Sequence, residues 1–290
     1  MAQALSRASR RRRTVLQIVV GVIVLAVAAA LVLSLSQRSG TTGSASGATP
    51  TATATATGTP AAAAVARDVA DVPASVFDQV GVGTAQAAPT PLSDAPALTS
   101  DGKPEVLYVG GEFCPYCAAE RWGLAVALER FGDLHDLGTT TSSSSDTDPN
   151  TATLDFHGAS FTSDYLSFTG KETVDRDRNP LDSLTGAEQK IVDTYDAPPY
   201  TDQKGTIPFV DIGGVYLLHG AQYDPSLLQG KTHAQIAAAL DDPDSAIAKA
   251  VIGTANTLTV AICAATGDTP AAVCGSSGVK AAAAAMKAAE

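Results

Sequence analysis

The chain has 290 residues, a formal charge of −11 and only 5% aromatics, enough for one good-sized domain with part of the chain left outside any packed core. The charge is uneven: Arg7, Arg10, Arg11, Arg12, Arg13 and Arg38 stand in a stretch without acids, and removing these six from the 19 bases leaves 13 against 30 acids, a balance of −17 over residues 39–290. An acidic surface of that size disfavours nucleic acid and anionic lipid as partners and fits solubility outside the cell.

The first predicted element is a membrane span. Val15 to Leu35 is a 21-residue run broken only by Gln17 and Ser34, with Gly21 tolerated. At about 1.5 Å per residue it crosses a hydrocarbon core. Five arginines precede it and only Arg38 follows closely, so residues 1–14 are expected as a cytoplasmic basic tail and everything after Leu35 outside. A cleaved signal peptide is the rival reading. Its apolar region is usually about 7–15 residues long. Here Ala28, Ala29 and Ala30 lie inside the run, with Leu31, Val32 and Leu33 beyond them. Both readings place the rest of the chain outside the cytoplasm.

Residues 36–66 are nearly all Thr, Ala, Gly, Ser and Pro, too poor in apolar surface to offset the entropy of ordering. They are expected to form a tether, with the folded domain over residues 67–278. Val72 to Phe77, followed by Gly81-Val82-Gly83, reads as a short helix and turn at the domain edge.

Glu105-Val106-Leu107-Tyr108-Val109-Gly110-Gly111 reads as a buried strand ending in glycines. Cys114-Pro115-Tyr116-Cys117 follows at once. Leu124, Ala127, Leu128 and Phe131 then repeat at helical spacing, which predicts an amphipathic helix ending at Gly132. The cysteines therefore fall on a strand-to-helix junction. There the free N–H groups and the macrodipole favour a thiolate on Cys114, and Cys117 lies one turn in, able to resolve a mixed disulfide. Pro115 suits the first turn, where its missing N–H has no intrahelical partner to lose.

Three other readings compete: half of a zinc site, a permanent structural disulfide, and a vestigial pair on a binding module. The only other cysteines are Cys263 and Cys274, and His135, His157, His219 and His233 lack ligand spacing, so no metal is expected. A loop this short constrains the unfolded chain little, which argues against a disulfide placed for stability.

Between Leu134 and Gln203, Thr139 to Asp148 reads as a polar loop, Thr153 to His157 and Tyr165 to Phe168 as weak strands, and Leu184 to Tyr195 as a short helix. This segment shapes a substrate groove or forms a packed lid without a recognition role. Gly205-Thr206-Ile207-Pro208 leads into a β run, Gly213-Gly214 is a hairpin turn, and Val215 to Leu218 returns. Thr232 caps a helix that stops near Pro243. Asp244 to Thr266 is an apolar helix too interrupted for a second membrane span, and is expected to pack on the domain. Outside the cytoplasm, Cys263 and Cys274 are expected to form a structural disulfide of about 2–3 kcal/mol. A pair relaying electrons to Cys114 and Cys117 is the alternative. Residues 279–290 are an Ala/Lys tail with the composition of a frayed helix.

These motifs carry a resemblance. Cys114-Pro115-Tyr116-Cys117 between a strand and a helix, with Thr206-Ile207-Pro208 later, is similar to the thioredoxin superfamily. The Pro-Tyr pair is the one glutaredoxins carry, and Phe113 before it looks more like bacterial periplasmic disulfide oxidoreductases. Gly102 to Glu105, Glu112 to Trp122, Phe161 to Phe168, Pro208 to Asp211 and Ala261 to Cys263 resemble a domain-of-unknown-function family of bacterial and archaeal membrane-anchored, thioredoxin-like proteins. The resemblance implies an α/β thioredoxin-like fold with an insertion before the cis-proline loop and a C-terminal helical extension. It implies Cys114 and Cys117 as redox residues, and Thr206, Ile207 and Pro208 as the wall that binds a substrate chain. An ordinary proline at a strand start is the alternative at Pro208. It supplies no substrate. The sequence also departs from the pattern: Tyr108 stands where thioredoxins place a buried acid, and Glu112 is expected near the surface.

The expected function is a membrane-anchored extracytoplasmic thiol–disulfide oxidoreductase acting on exported proteins, without a cofactor and with a membrane redox partner possible in principle. A non-catalytic module tethered at the membrane is the second expectation. A glutathione-using enzyme is the third; it fits Pro-Tyr but not the compartment.

Overall fold

The computed structural model describes residues 58–289. The basic tail, the expected span over residues 15–35 and most of the tether lie outside the described residues. What is described is a mixed α/β arrangement: a mixed six-stranded sheet with helices on both faces.

The order begins with helices α1 (Pro60–Ala70) and α2 (Ala74–Val80), followed by strands β1 (Thr90–Pro91), β2 (Thr99–Ser100) and β3 (Lys103–Gly110). Helix α3 (Pro115–Leu128) follows β3 directly. Then come β4 (Asp133–His135), β5 (Gly138–Thr141), β6 (Ala152–Asp155), β7 (Ser160–Thr162) and β8 (Ser167–Glu172). Helix α4 (Gly186–Tyr195) leads to β9 (Phe209–Ile212) and β10 (Tyr216–His219). Four helices close the chain: α5 (His233–Ala239), α6 (Ala246–Thr266), α7 (Ala271–Cys274) and α8 (Ser277–Ala289).

β3 is the central strand. It pairs in parallel with β8 on one side and antiparallel with β9 on the other; β10 and β1 continue beyond β9, and β2 pairs with its start. Its alternation assigns the two faces. Val106 and Tyr108 join the larger core with α3 and α6, while Leu107 and Val109 join a smaller cluster with Phe209, Leu217 and the α4 side chains Ile191 and Val192. At the hairpin between β9 and β10, Gly213 and Gly214 both take positive φ, 65° and 70°, which side chains with a Cβ adopt only with strain.

Several sequence expectations are corrected here. The tether gives way to structure earlier than residue 66. Thr59 accepts the Ala62 N–H, Pro60 opens α1, and Ala62, Val65 and Val69 are buried. A Pro-Ala-Ala-Ala run is linker-like in composition but strongly helix-forming once a cap and a core face are available. The residues expected as a frayed tail form α8 from Ser277, with Val279 and Ala282 buried and the Gly278 N–H donating to Asp78 Oδ1 at 2.8 Å. Part of the expected polar loop is β5, paired with β6.

The largest correction concerns α3. It is not amphipathic: every residue from Cys117 to Leu128 is buried. One face meets the sheet and another meets α6. The crossing is so close that a Cβ added at Gly123 would lie 2.2 Å from Thr254 Cγ2. Helix α6 is long and apolar enough to cross a membrane, yet 83% of its most apolar window is buried inside the domain. Asn256 finds partners there, its Nδ2 donating to Phe77 O at 2.9 Å and Gly81 O at 2.7 Å. These contacts make it the core helix.

Candidate functional site

The site is built where β3 runs into α3. The strand ends in Gly110-Gly111, and the Cys114 N–H turns back to Gly111 O at 3.2 Å. Cys114 is the N-cap of α3: its backbone is still extended, and its Sγ accepts the Cys117 N–H at 3.4 Å. A sulfur in this position faces the unpaired N–H groups and the positive end of the helix dipole. Both thiols are free; Cys114 is 6% exposed and Cys117 fully buried. Tyr116 between them is 48% exposed.

The two thiols differ in acidity. The hydrogen bond from Cys117 draws Cys114 down to about 7, against burial and with help from the Cys117 and Tyr116 N–H groups. Cys117 moves the other way, pushed well above the ordinary thiol value chiefly by burial and by its bond to Cys114. At neutral pH the arrangement holds a substantial fraction of thiolate on Cys114 and a proton on Cys117.

Beneath the pair lies a polar cluster that sequence reasoning missed. Arg121, fully buried on α3, donates from Nε to Glu172 Oε1 at 2.7 Å and to the Tyr108 hydroxyl at 3.2 Å. Its Nη2 reaches Glu172 Oε2 at 3.1 Å and Gly111 O at 2.8 Å; its Nη1 reaches Thr153 Oγ1 and Leu154 O, both at 3.3 Å. Burial opposes the charge on Arg121, but the neighbouring Glu172 above all outweighs it and holds the guanidinium protonated. Burial raises Tyr108 well above the ordinary phenol, and raises Glu172 against the pull of Arg121. The signal was present in the sequence. A Glu-Arg pair inside an apolar helical run, with Arg121 four residues after Cys117, marks a charged side chain on the cysteine face.

Glu112, expected near the surface, is 3% exposed. Its carboxylate accepts the Arg176 N–H at 3.1 Å, and burial and the neighbouring Asp155 raise its pKa. The segment between Cys117 and Pro208 holds the turn from outside: Ser143 N–H donates to Phe113 O at 2.9 Å, and the Arg178 guanidinium lies 4.3 Å above the Phe113 ring.

Thr206, Ile207 and Pro208 lead into β9, and the Ile207–Pro208 bond is cis. In the β3–β9 register Val109 faces Phe209. One residue further, Pro208 falls opposite Gly110, at the same sheet end as the cysteines. The Thr206 N–H is tied to Asp196 Oδ1 at 3.0 Å, and Pro208 O accepts the Gly220 N–H at 2.8 Å. Cys263 and Cys274 lie elsewhere, joined by a disulfide with an S–S distance of 1.97 Å that ties the end of α6 to α7. Among the described residues, no group of three or more His, Cys, Asp and Glu side chains is placed to hold a metal ion.

Residues 93–264, more than half of the chain, match the family model described as Domain of unknown function (DUF929). No curated protein and no solved structure matches the chain.

Proposed function

We propose a function for this chain, which belongs to the family Domain of unknown function (DUF929), from the chemistry of its site: a membrane-anchored, extracytoplasmic thiol–disulfide oxidoreductase acting on exported proteins. The observation that carries the reading is the asymmetry of the dithiol. Cys114 is an N-cap thiol drawn down to about 7, and Cys117 is a buried thiol held protonated one turn away. A permanent structural disulfide or a buried spectator pair has no use for that difference.

The finer reading of the fold is thioredoxin-like. In its support, the crossover between the parallel strands β3 and β8 begins with α3, and a hairpin led by Pro208 pairs on the other side of β3. The extracytoplasmic placement rests on the arginine-flanked apolar run at residues 15–35 and on the acidic remainder of the chain.

The exchange proceeds in two steps. The Cys114 thiolate attacks one sulfur of a substrate disulfide. The substrate S–S bond breaks, a mixed disulfide forms, and the departing sulfur takes a proton. Cys117 then loses its proton and attacks Cys114 Sγ, releasing the second substrate thiol. Two electrons pass from the cysteine pair to the substrate, and a partner dithiol, in the membrane or in an exported protein, restores the pair. Run backwards, the same steps oxidise a substrate dithiol. The backbone of Thr206, Ile207 and Pro208 provides the wall along which a substrate strand pairs.

The burial of Cys114 favours a second reading, a non-catalytic module tethered at the membrane. One experiment separates them. In the full-length protein, alkylation mapping finds a Cys114–Cys117 disulfide that mild reductant opens, and Cys117→Ser accumulates mixed disulfides through Cys114. Resistance to mild reductant, together with the absence of adducts, leaves only the second reading.

A further inference from the structure

We propose that Arg121 is a positioning residue of the dithiol site, fixing the turn that presents Cys114 and supplying the positive charge against which the Cys114 thiolate is held. The inference rests on the oxidoreductase reading given above and assigns to the site a residue beyond its two cysteines and its proline wall.

The geometry argues as follows. Arg121 lies four residues after Cys117, so the two share a face of α3 one turn apart. A guanidinium with no solvent exposure is costly unless its donors are matched and its charge is paired. Here Glu172, Thr153, Leu154 O and Tyr108 meet those needs. The bond from Nη2 to Gly111 O, at 2.8 Å, does something different. Gly111 O also accepts the Cys114 N–H, so a single carbonyl joins the guanidinium to the residue that carries the nucleophile. A pair needed only to staple β6 and β8 to α3 has no need of that contact.

The titratable groups around the cluster are Tyr108 from β3, Asp155 from β6, Glu172 from β8, Asp182 beyond β8, Glu112 from the turn before α3, and the two thiols at the start of α3. The Arg121 charge draws both thiols down, while Glu172 and Cys114 push Cys117 up. Arg121 and Glu172 therefore act on Cys117 with opposite signs, and Arg121 acts on Cys114 as well.

The test follows the pH dependence of alkylation at Cys114 in the reduced full-length protein, with thermal melting alongside. Glu172→Gln removes the negative partner and keeps its shape, so the midpoint falls, by roughly one pH unit. Adding Arg121→Gln to Glu172→Gln removes the cation without stranding a buried carboxylate, so the midpoint rises by at least as much. At about pH 5, below both midpoints, thiolate then drops about tenfold relative to Glu172→Gln alone. Midpoints that agree within a few tenths of a unit, with only the melting temperature lowered, overturn the proposal and leave Arg121 a staple. Should the double variant not fold, Glu172→Gln decides alone: a downward midpoint supports the proposal and an unchanged one overturns it. If the wild-type protein has no reducible Cys114–Cys117 pair, the oxidoreductase reading fails, while the midpoints still report whether Arg121 sets the thiol.

Discussion

Glu120 stands beside Arg121 on α3 but has no cation. It is fully buried, and its carboxylate accepts the Gln222 N–H at 3.1 Å and the Gln222 side chain at 3.4 Å. Burial raises it to about 8 from an ordinary 4.5, although both Gln222 bonds oppose the rise. The folded value lies above the unfolded one. The neutral carboxyl therefore contributes stability that is complete below about pH 4.5 and lost as pH rises through about 8. Glu120→Gln removes this dependence while keeping the bond geometry. Urea unfolding at several pH values should show the variant gaining on the wild type steadily between pH 5 and pH 8. A constant difference across that range means the carboxyl does not titrate on unfolding. At the cysteine pair, the proposed function predicts that Cys114→Ser abolishes disulfide exchange in an insulin-type reduction assay, with the melting temperature nearly unchanged.

At the scale of elements, the crossing of α3 over α6 decides the geometry of the site, because α3 carries both cysteines. Gly123 is the residue that permits it. Alanine there gains up to about 1 kcal/mol of helix propensity. Its Cβ, however, would lie 2.2 Å from Thr254 Cγ2 and 2.8 Å from Thr254 Cβ, a clash no rotamer of alanine relieves. Overpacking of this kind costs about 1–3 kcal/mol and outweighs the propensity gain. Gly123→Ala should therefore lower stability in denaturant unfolding, and Thr254→Ser in the same chain should recover part of the loss by removing the nearer methyl. An unchanged unfolding midpoint in Gly123→Ala means that the helices are not in such close contact.

Across the whole domain, segments far apart in sequence meet at one junction. Arg130 at the end of α3 donates to Asn256 Oδ1 and Thr259 Oγ1 on α6 and to Ser276 Oγ before α8, each at 3.1 Å, and its guanidinium lies 4.2 Å from the Phe77 ring centroid. Next to this junction the Cys263–Cys274 disulfide closes a loop with a sequence separation of 11. A loop of that size restricts the unfolded chain by about 2–3 kcal/mol. Replacing both cysteines by alanine should lower the unfolding free energy by that amount and leave exchange at Cys114 at its wild-type rate. A fall in the exchange rate at full stability would instead make the pair an electron relay.

The part legible in the sequence was the part encoded by neighbours along the chain. A hydrophobic run ending in glycines, two cysteines one turn apart and a proline at the first helical position place a dithiol at a strand-to-helix junction. A β run after Pro208 and the Gly213-Gly214 turn mark the hairpin. Whatever depended on partners distant in sequence was decided only by the tertiary structure. The Ala-rich stretch at Pro60 reads as tether because composition does not record that Val65 and Val69 find a core. The burial of Glu120 and Arg121 goes unread, and Glu112 reads as near the surface, because charged residues are rarely buried without partners. Their partners, Gln222, Glu172 and Arg176, come from segments 102, 51 and 64 residues away. Burying a charge is favourable only when the fold supplies its counterpart, so local spacing could place Arg121 on the cysteine face, while its burial there and the partners that permit it were decided by the tertiary structure.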